Sequence, residues 1–292
     1  METLRLDGAN TEHVALAGEI LRRGGIVALP TETVYGLAGN ALDTGAVLKI
    51  FAAKGRPADN PLIVHISSLD QLGTVWAQVP EAAYILAEHY WPGPLSLVLP
   101  RAGGVPNAVT GGLDTVGVRM PNHPVALAVI EAAGVPLAAP SANLSGKPSC
   151  TTAQDVLEDF DGRIDAVIDG GPCQVGVEST VVDLTGPVAT VLRPGAVPES
   201  QIAAVLGAAR TADGHVAAGE TPASPGMKYT HYATRAPITL FMGAPEDTFN
   251  ALAARKGEPS VAVLAFEEYI EALAGAYGQC YSLGESWDHE SH

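Results

Sequence analysis

The sequence predicts an α/β fold of the α+β type, a mixed sheet with covering helices followed by a second, smaller β-α-β unit. Three observations predict it. Short apolar runs alternate with amphipathic stretches up to about residue 207. Some neighbouring runs stand too close for a crossover helix, so antiparallel pairs must join parallel ones. The alternation then lapses into a Gly- and Pro-rich stretch before a β-α-β pattern resumes.

Residues 11–23 carry Val14, Ala17, Ile20 and Leu21 at helical spacing, with Thr11 placed to cap the start and Gly24-Gly25 to stop it. The run 26–29 ends abruptly at Pro30 and reads as a buried strand entering a loop. PTETVYGL (30–37) then reads as a turn that opens a helix. Further strands are expected at 61–66, 95–99, 115–120, 135–139, 179–184 and 188–192, and helices at 43–53, 80–90, 123–133 and 152–160. The first domain is placed at 1–207 and a linker at 208–235, within which 208–227 has no hydrophobic period. Beyond it, 237–242 and 260–265 read as strands around a helix at 245–256. The last residues, from Ser286, look like a capped helix start that ends before one turn is complete, so the second domain is expected to be incomplete.

Composition excludes whole classes. The 292 residues carry 16 Lys+Arg against 32 Asp+Glu, a net charge of −16, which argues against tight sequence-independent nucleic-acid binding. No apolar run approaches the ~20 residues of a membrane-spanning helix. Cys150, Cys173 and Cys280 are odd in number and widely spaced, as expected of reduced thiols in a cytoplasmic protein, and the N-terminus has no apolar core of a signal peptide. The familiar phosphate-binding motifs, G-x-x-x-x-G-K-[ST] and a helix-opening G-x-G-x-x-G, are absent, as is H-E-x-x-H.

The few cations are informative. Lys54, Arg56, Arg119, Lys147, Arg193 and Lys228 all stand beside Gly, Pro or Ser, in KGRP, GVRMP, SGKPS, LRPG and SPGMK. Any one alone reads as a solvated charge, but together, on loops carried by a sheet, they could form a site for phosphate or carboxylate. Thr31 and Thr33 could equally cap a helix or serve a site. His65, inside PLIVHI, reads as a hydrogen-bonded core residue as readily as a functional one. Ser141–Ser149 could cradle an anion or form an ordinary polar turn, and Glu178-Ser179-Thr180 could be a strand-edge cap. SPGMKYTHY (224–232) is unusually aromatic for a linker and suits a segment that docks onto a site.

In this order PTETVYGL (30–37), KGRPADNPLIVHI (54–66), WPGPLSLVL (91–99), TVGVRMPNH (115–123), PLAAPSANLSGKPS (136–149), VESTVVD (177–183), LRPG (192–195) and SPGMKYTHYA (224–233) resemble the YrdC-like family, in its long two-domain threonylcarbamoyl-AMP synthase form. The resemblance implies a twisted mixed sheet with a concave site and a small Rossmann-like C-terminal domain. It implies a nucleotidyltransferase that joins L-threonine, bicarbonate or CO2, and ATP, with Mg²⁺ accompanying the ATP. Its product would pass to a threonylcarbamoyl-transferase machinery for tRNA modification beside the anticodon. By resemblance, Thr33, His65, Arg119, Ala139 and Ser179 hold threonine, Arg119 pairing with its carboxylate. Lys54, Arg56, Asn60, Thr115, Ser141, Ser149, Arg193 and Tyr232 surround ATP, with Lys54 and Arg56 as the catalytic cations; no protein metal ligand is implied. Two rivals remain: an RNA-binding module, which needs a basic concave face, and a nucleotide-hydrolysing or carbamoyl-transferring relative with another acceptor.

Overall fold

The computed structural model describes residues 2–213, 220–229, 233, 236–255, 260–274 and 277–285. It divides into two compact units, Met1–Ala233 and Thr234–His292. The first begins β1 (Leu4–Asp7), α1 (Thr11–Arg22), β2 (Val27–Leu29), β3 (Gly36–Asn40), α2 (Thr44–Lys54) and β4 (Ile63–His65). It continues through α3 (Leu72–Val75), α4 (Glu81–Tyr90), β5 (Leu95–Pro100), α5 (Asn107–Thr110), β6 (Thr115–Arg119), α6 (Pro124–Ala133) and β7 (Leu137–Ala138). It closes with α7 (Ala153–Phe160), β8 (Ala166–Asp169), β9 (Thr180–Asp183), β10 (Ala189–Arg193), α8 (Glu199–Leu206) and β11 (Ala209–Thr211).

These strands form one mixed sheet in the order β1-β8-β2-β3-β7-β4-β6-β5-β9-β10-β11. Both faces are covered, which explains why β2 is a continuous apolar run. Val27 and Leu29 face one core with α1 and α6, whereas Ala28 faces the other, larger core with α2 and α7. Gly18 lets α1 lie directly on α6, since a Cβ there would stand 2.6 Å from the Cβ of Ala132.

Several expectations are corrected. PTETVYGL leads into a strand rather than a helix: Thr31 Oγ1 closes a turn on Val34 N (3.2 Å), and the chain then runs antiparallel to β2 as β3. The segment GLAGN lacks β-branched residues, so its strand character comes from pairing with β2 and β7 rather than from propensity. β1 escaped the pattern because it is a short edge strand with one buried residue. Residues 209–211, read as linker, instead add β11 parallel to β10.

The second unit contains α9 (Pro245–Ala253), β12 (Ala262–Ala265), α10 (Glu267–Ala274) and β13 (Gln279–Ser282). β12 and β13 pair in parallel around α10, the Rossmann-like β-α-β connection, over a small core of Val263, Ala265, Leu273 and Tyr277. The expected strand at 237–242 does not form among the described residues: Ile238, Leu240 and Met242 alternate as a strand would, yet are 75%, 78% and 83% exposed. Alternation supplies a face, but a strand also needs a hydrogen-bonding neighbour. The helix start expected from Ser286 lies outside the described residues.

Candidate functional site

A cavity of about 540 Å³ opens in the first unit where strand ends and their following loops meet. Its wall includes Thr33 from the β2–β3 loop, His65 from β4, Arg119 from β6, Ala139 and Ser141 after β7, Ser179 before β9, and Arg193 from β10. Arg56, from the loop after α2, and Pro225 and Gly226 complete it. β4 and β6 are parallel with His65 in register with Arg119, so the sheet itself sets these two side by side.

Arg119 is the most constrained group. Its Nε donates to Gly93 O (3.0 Å), its Nη1 to Thr33 Oγ1 (2.9 Å), and its Nη2 lies 2.6 Å from Glu32 Oε1. Both members of that ion pair are almost fully buried, with side chains 4% and 6% exposed. Burial lowers the Arg119 pKa and the adjacent Glu32 opposes the shift; a guanidinium nonetheless stays charged at physiological pH. Arg193 donates through Nε (3.1 Å) and Nη2 (2.8 Å) to Ser179 O, and through Nη2 to Ser179 Oγ (3.1 Å), while that hydroxyl also meets Ser96 Oγ (2.8 Å). Gly195 permits this close fit, because a Cβ there would stand 2.4 Å from Thr180 N.

Arg56 anchors its guanidinium on two carbonyls, Asn60 O (3.2 Å) and Pro61 O (2.9 Å). Burial, and then the like charge of Arg193, lower its pKa to about 10. Two like-charged guanidinium groups on one wall are suited to receive an anion.

The remaining expected residues that are described, Lys54, Asn60, Thr115 and Ser149, lie off the wall. Lys54 is buried behind it, donating to the carbonyls of Ser141 and of Asn143 (2.5 Å), so it braces the 141–149 loop instead of facing the cavity. Burial, and then Arg56, lower its pKa to about 7. Asn60 is buried beneath the Arg56 loop, and Ser149 donates to Glu178 Oε1 (2.5 Å), a carboxylate on the wall. Thr115 begins β6, four residues or roughly 13 Å along the strand from Arg119. Tyr232 lies outside the described residues. Of the six loop cations, Arg56, Arg119 and Arg193 converge, whereas Lys147 turns to Asp159 (2.6 Å) and Lys228 to Asp59 (2.7 Å).

Sequence reasoning gave no role to Glu32 or Asp59. Each is an acid inside a motif otherwise singled out for hydroxyls or cations, and that contrast was the available signal. Asp59 holds Lys228 through Oδ2 and accepts from the Tyr229 hydroxyl through Oδ1, which ties 220–229 to the Arg56 loop.

His65 is 5% exposed, with Nδ1 3.3 Å from Ile63 O. Burial, and then the charge of Arg119, lower its pKa to about 3, so the imidazole is neutral near neutral pH. In the unfolded chain it takes up a proton near pH 6.5, so acidification favours unfolding between about pH 6.5 and 3, by up to ~1.4 kcal/mol per pH unit. Urea unfolding of His65→Gln between about pH 6 and 4 should show a correspondingly flatter loss of stability; a slope equal to that of the unmutated chain would contradict a neutral buried His65.

Comparison with known proteins agrees with this architecture. A family model described as "Telomere recombination" (Sua5, YciO, YrdC) matches residues 19–195, and the model "Threonylcarbamoyl-AMP synthase, C-terminal domain" matches 197–290. The chain is 48% identical over 274 residues to a threonylcarbamoyl-AMP synthase of Bacillus subtilis, covering 93% of this chain and 78% of that one. It is 53% identical over 238 residues to that of Pyrococcus abyssi, covering 80% and 69%. The crystal structure of P. abyssi Sua5 complexed with L-threonine superposes with a TM-score of 0.87 at 42% identity, covering 100% of this chain and 86% of that one. Escherichia coli YciO matches at a TM-score of 0.61 and 26% identity, covering 69% of this chain and 98% of that one. With both family models matched in sequence and the mixed sheet matched in space, the chain belongs to the Sua5/YciO/YrdC family, in its two-domain threonylcarbamoyl-AMP synthase form.

Proposed function

We propose that the chain is an L-threonylcarbamoyladenylate synthase, a nucleotidyltransferase that converts L-threonine, bicarbonate or CO2, and ATP into threonylcarbamoyl-AMP and pyrophosphate. The observation that carries the reading is one cavity whose wall joins the Thr33, His65, Arg119, Ser179 cluster to Arg56, Arg193 and Ser141. The first cluster suits a small amino acid: a guanidinium for the carboxylate, hydroxyls for polar contacts, a neutral imidazole, and the backbone at Ala139. The second suits a triphosphate, because Arg56 and Arg193 relieve their mutual repulsion on an anion.

In this arrangement the threonine amine forms a C–N bond to CO2 and releases a proton. The carbamate oxygen then bonds to the α-phosphorus as the bond to the β-phosphate oxygen breaks and pyrophosphate leaves. The chain's part is chiefly positioning and charge neutralisation. Arg119 fixes the amino acid, Arg56 and Arg193 hold the phosphates, and Lys54, Asn60 and Ser149 support the loops around them. Thr115 and Tyr232 stay assigned to the nucleotide by family resemblance alone.

The described residues contain no cluster of three side chains able to hold a metal, and the one carboxylate on the wall is Glu178. They do not form a metal cage; Mg²⁺ would enter bound to the phosphates of ATP. The product would supply a threonylcarbamoyl-transferase for tRNA modification. No helix among the described residues is long and apolar enough to cross a membrane.

The segment 220–229 would close the nucleotide side through Asp59, with Pro225 and Gly226 on the wall. Lys228, and then Tyr229, hold the Asp59 carboxyl below the usual carboxylate range, so the clasp persists at neutral pH and is lost on strong acidification. Asp59→Ala should speed proteolysis within 208–235 and raise the KM for ATP; unchanged cleavage would refute the clasp.

The reaction is tested by incubation with ATP, Mg²⁺, L-threonine and ¹³C-bicarbonate, followed by mass spectrometry. The expected product is a threonylcarbamoyl-AMP one mass unit heavier than from unlabelled bicarbonate. A labelled carbamoyl-AMP lacking threonine, or release of AMP alone, would sink the proposal.

A further inference from the structure

Glu32 touches Arg119 but does not line the cavity. We propose that Glu32 is a positioning residue that fixes the Arg119 guanidinium and so selects which of its N–H groups face a substrate carboxylate. The inference rests on the proposed threonine site.

The geometry makes Glu32 a clamp with two jaws. Oε2 accepts from Asn122 N (3.0 Å), while Oε1 lies 2.6 Å from Arg119 Nη2. Its own carbonyl oxygen accepts from Gln174 N (3.1 Å) and Val175 N (2.9 Å), so its backbone is pinned as well. Arg119 is thereby held on three sides: Gly93 at Nε, Thr33 at Nη1 and Glu32 at Nη2.

The Nη2–Oε1 contact, 2.6 Å between two buried atoms, commits Nη2 to the ion pair with Glu32. A guanidinium has five N–H donors, and those left over are the ones available to a ligand carboxylate. Glu32 also makes the buried pair neutral, so Arg119 can wait for a ligand without leaving an isolated charge in the wall.

The carboxylate is specifically suited to this place. It stands between two donors, Asn122 N–H and the Arg119 guanidinium, and needs an accepting oxygen for each. Glutamine has one accepting oxygen and must turn an N–H toward one of those donors. Aspartate keeps both oxygens but is one methylene shorter, so it cannot reach both partners from the same pinned backbone.

A merely structural Glu32, tying the 30–35, 120–123 and 171–176 segments together, would move threonine and ATP constants alike. A positioning Glu32 acts through Arg119 and moves the threonine constant alone. Thermal unfolding and the KM for L-threonine and for ATP should therefore be measured for the unmutated chain, Glu32→Gln, Arg119→Ala and the double variant. Glu32→Gln should raise the threonine KM about tenfold to a hundredfold, with the ATP KM within about twofold. In the Arg119→Ala background it should change the threonine KM no further, because the group through which it acts is gone.

An unchanged threonine KM, equal shifts for both substrates, or an additive effect in the double variant would overturn the inference. Should Glu32→Gln not fold, Glu32→Asp carries the same comparison, with a threonine-selective rise expected and its absence contradictory. Turnover by the unmutated chain that ignores threonine would instead overturn the site reading, and the positioning role with it.

Discussion

Arg119→Ala will raise the KM for L-threonine by two orders of magnitude or more while leaving ATP affinity within a few-fold. The guanidinium sits in the wall with Nη1 on Thr33 and is fixed from behind by Glu32. Loss of one partner from a buried, hydrogen-bonded charge pair costs about 2–5 kcal/mol, mostly as the penalty on the charge left alone. The same substitution strands Glu32 without its counter-charge and should lower stability by about 3–5 kcal/mol. Kinetics must therefore be read well below the unfolding temperature, and Glu32→Gln added to Arg119→Ala should restore part of the lost stability. Equal weakening of threonine and ATP would place Arg119 outside the amino-acid site.

Arg56→Ala should show the opposite balance: ATP affinity falls by about a hundredfold, whereas the unliganded chain keeps or gains thermal stability. Charge-assisted contacts to phosphate contribute about 1.5–3 kcal/mol each. In the free protein, however, Arg56 is half-buried near the like charge of Arg193, and its guanidinium donates to the neutral carbonyl oxygens of Asn60 and Pro61. Removing it relieves a repulsion that ATP would otherwise relieve, a trade of stability for binding expected at sites built to receive charge. Thermal unfolding with and without ATP tests both halves. A marked loss of unliganded stability would show that Arg56 serves mainly to hold the loop.

Much of the sheet was legible because its central strands are apolar on both faces. The run 26–29, PLIVHI and LSLVL needed only burial to be identified, and their ends carried His65 and the loops of the site. β3 was not legible, since GLAGN owes its extended form to Thr31 closing the preceding turn and to partners on both sides. Residues 237–242 failed in the reverse sense, with an alternating pattern and no neighbouring strand among the described residues.

For the site, residue type was more legible than direction. Arg56, Arg119 and Arg193 share the cavity wall, while the equally suggestive Lys54, Lys147 and Lys228 point to carbonyls or carboxylates elsewhere. Short sequence context cannot distinguish a lysine that faces a ligand from one that braces the loop beside it. Glu32 was illegible as a partner because Arg119 lies 87 residues away along the chain, and the two meet only once β6 is seated in the sheet.

The central claim is that one cavity couples threonine to cleavage of ATP, and the rate of pyrophosphate release as a function of L-threonine tests it most directly. With ATP, Mg²⁺ and bicarbonate held constant, release should be near background without threonine, rise to saturation as threonine is added, and lose that response in Arg119→Ala. Pyrophosphate release that proceeds at the same rate whether or not threonine is present would contradict the account.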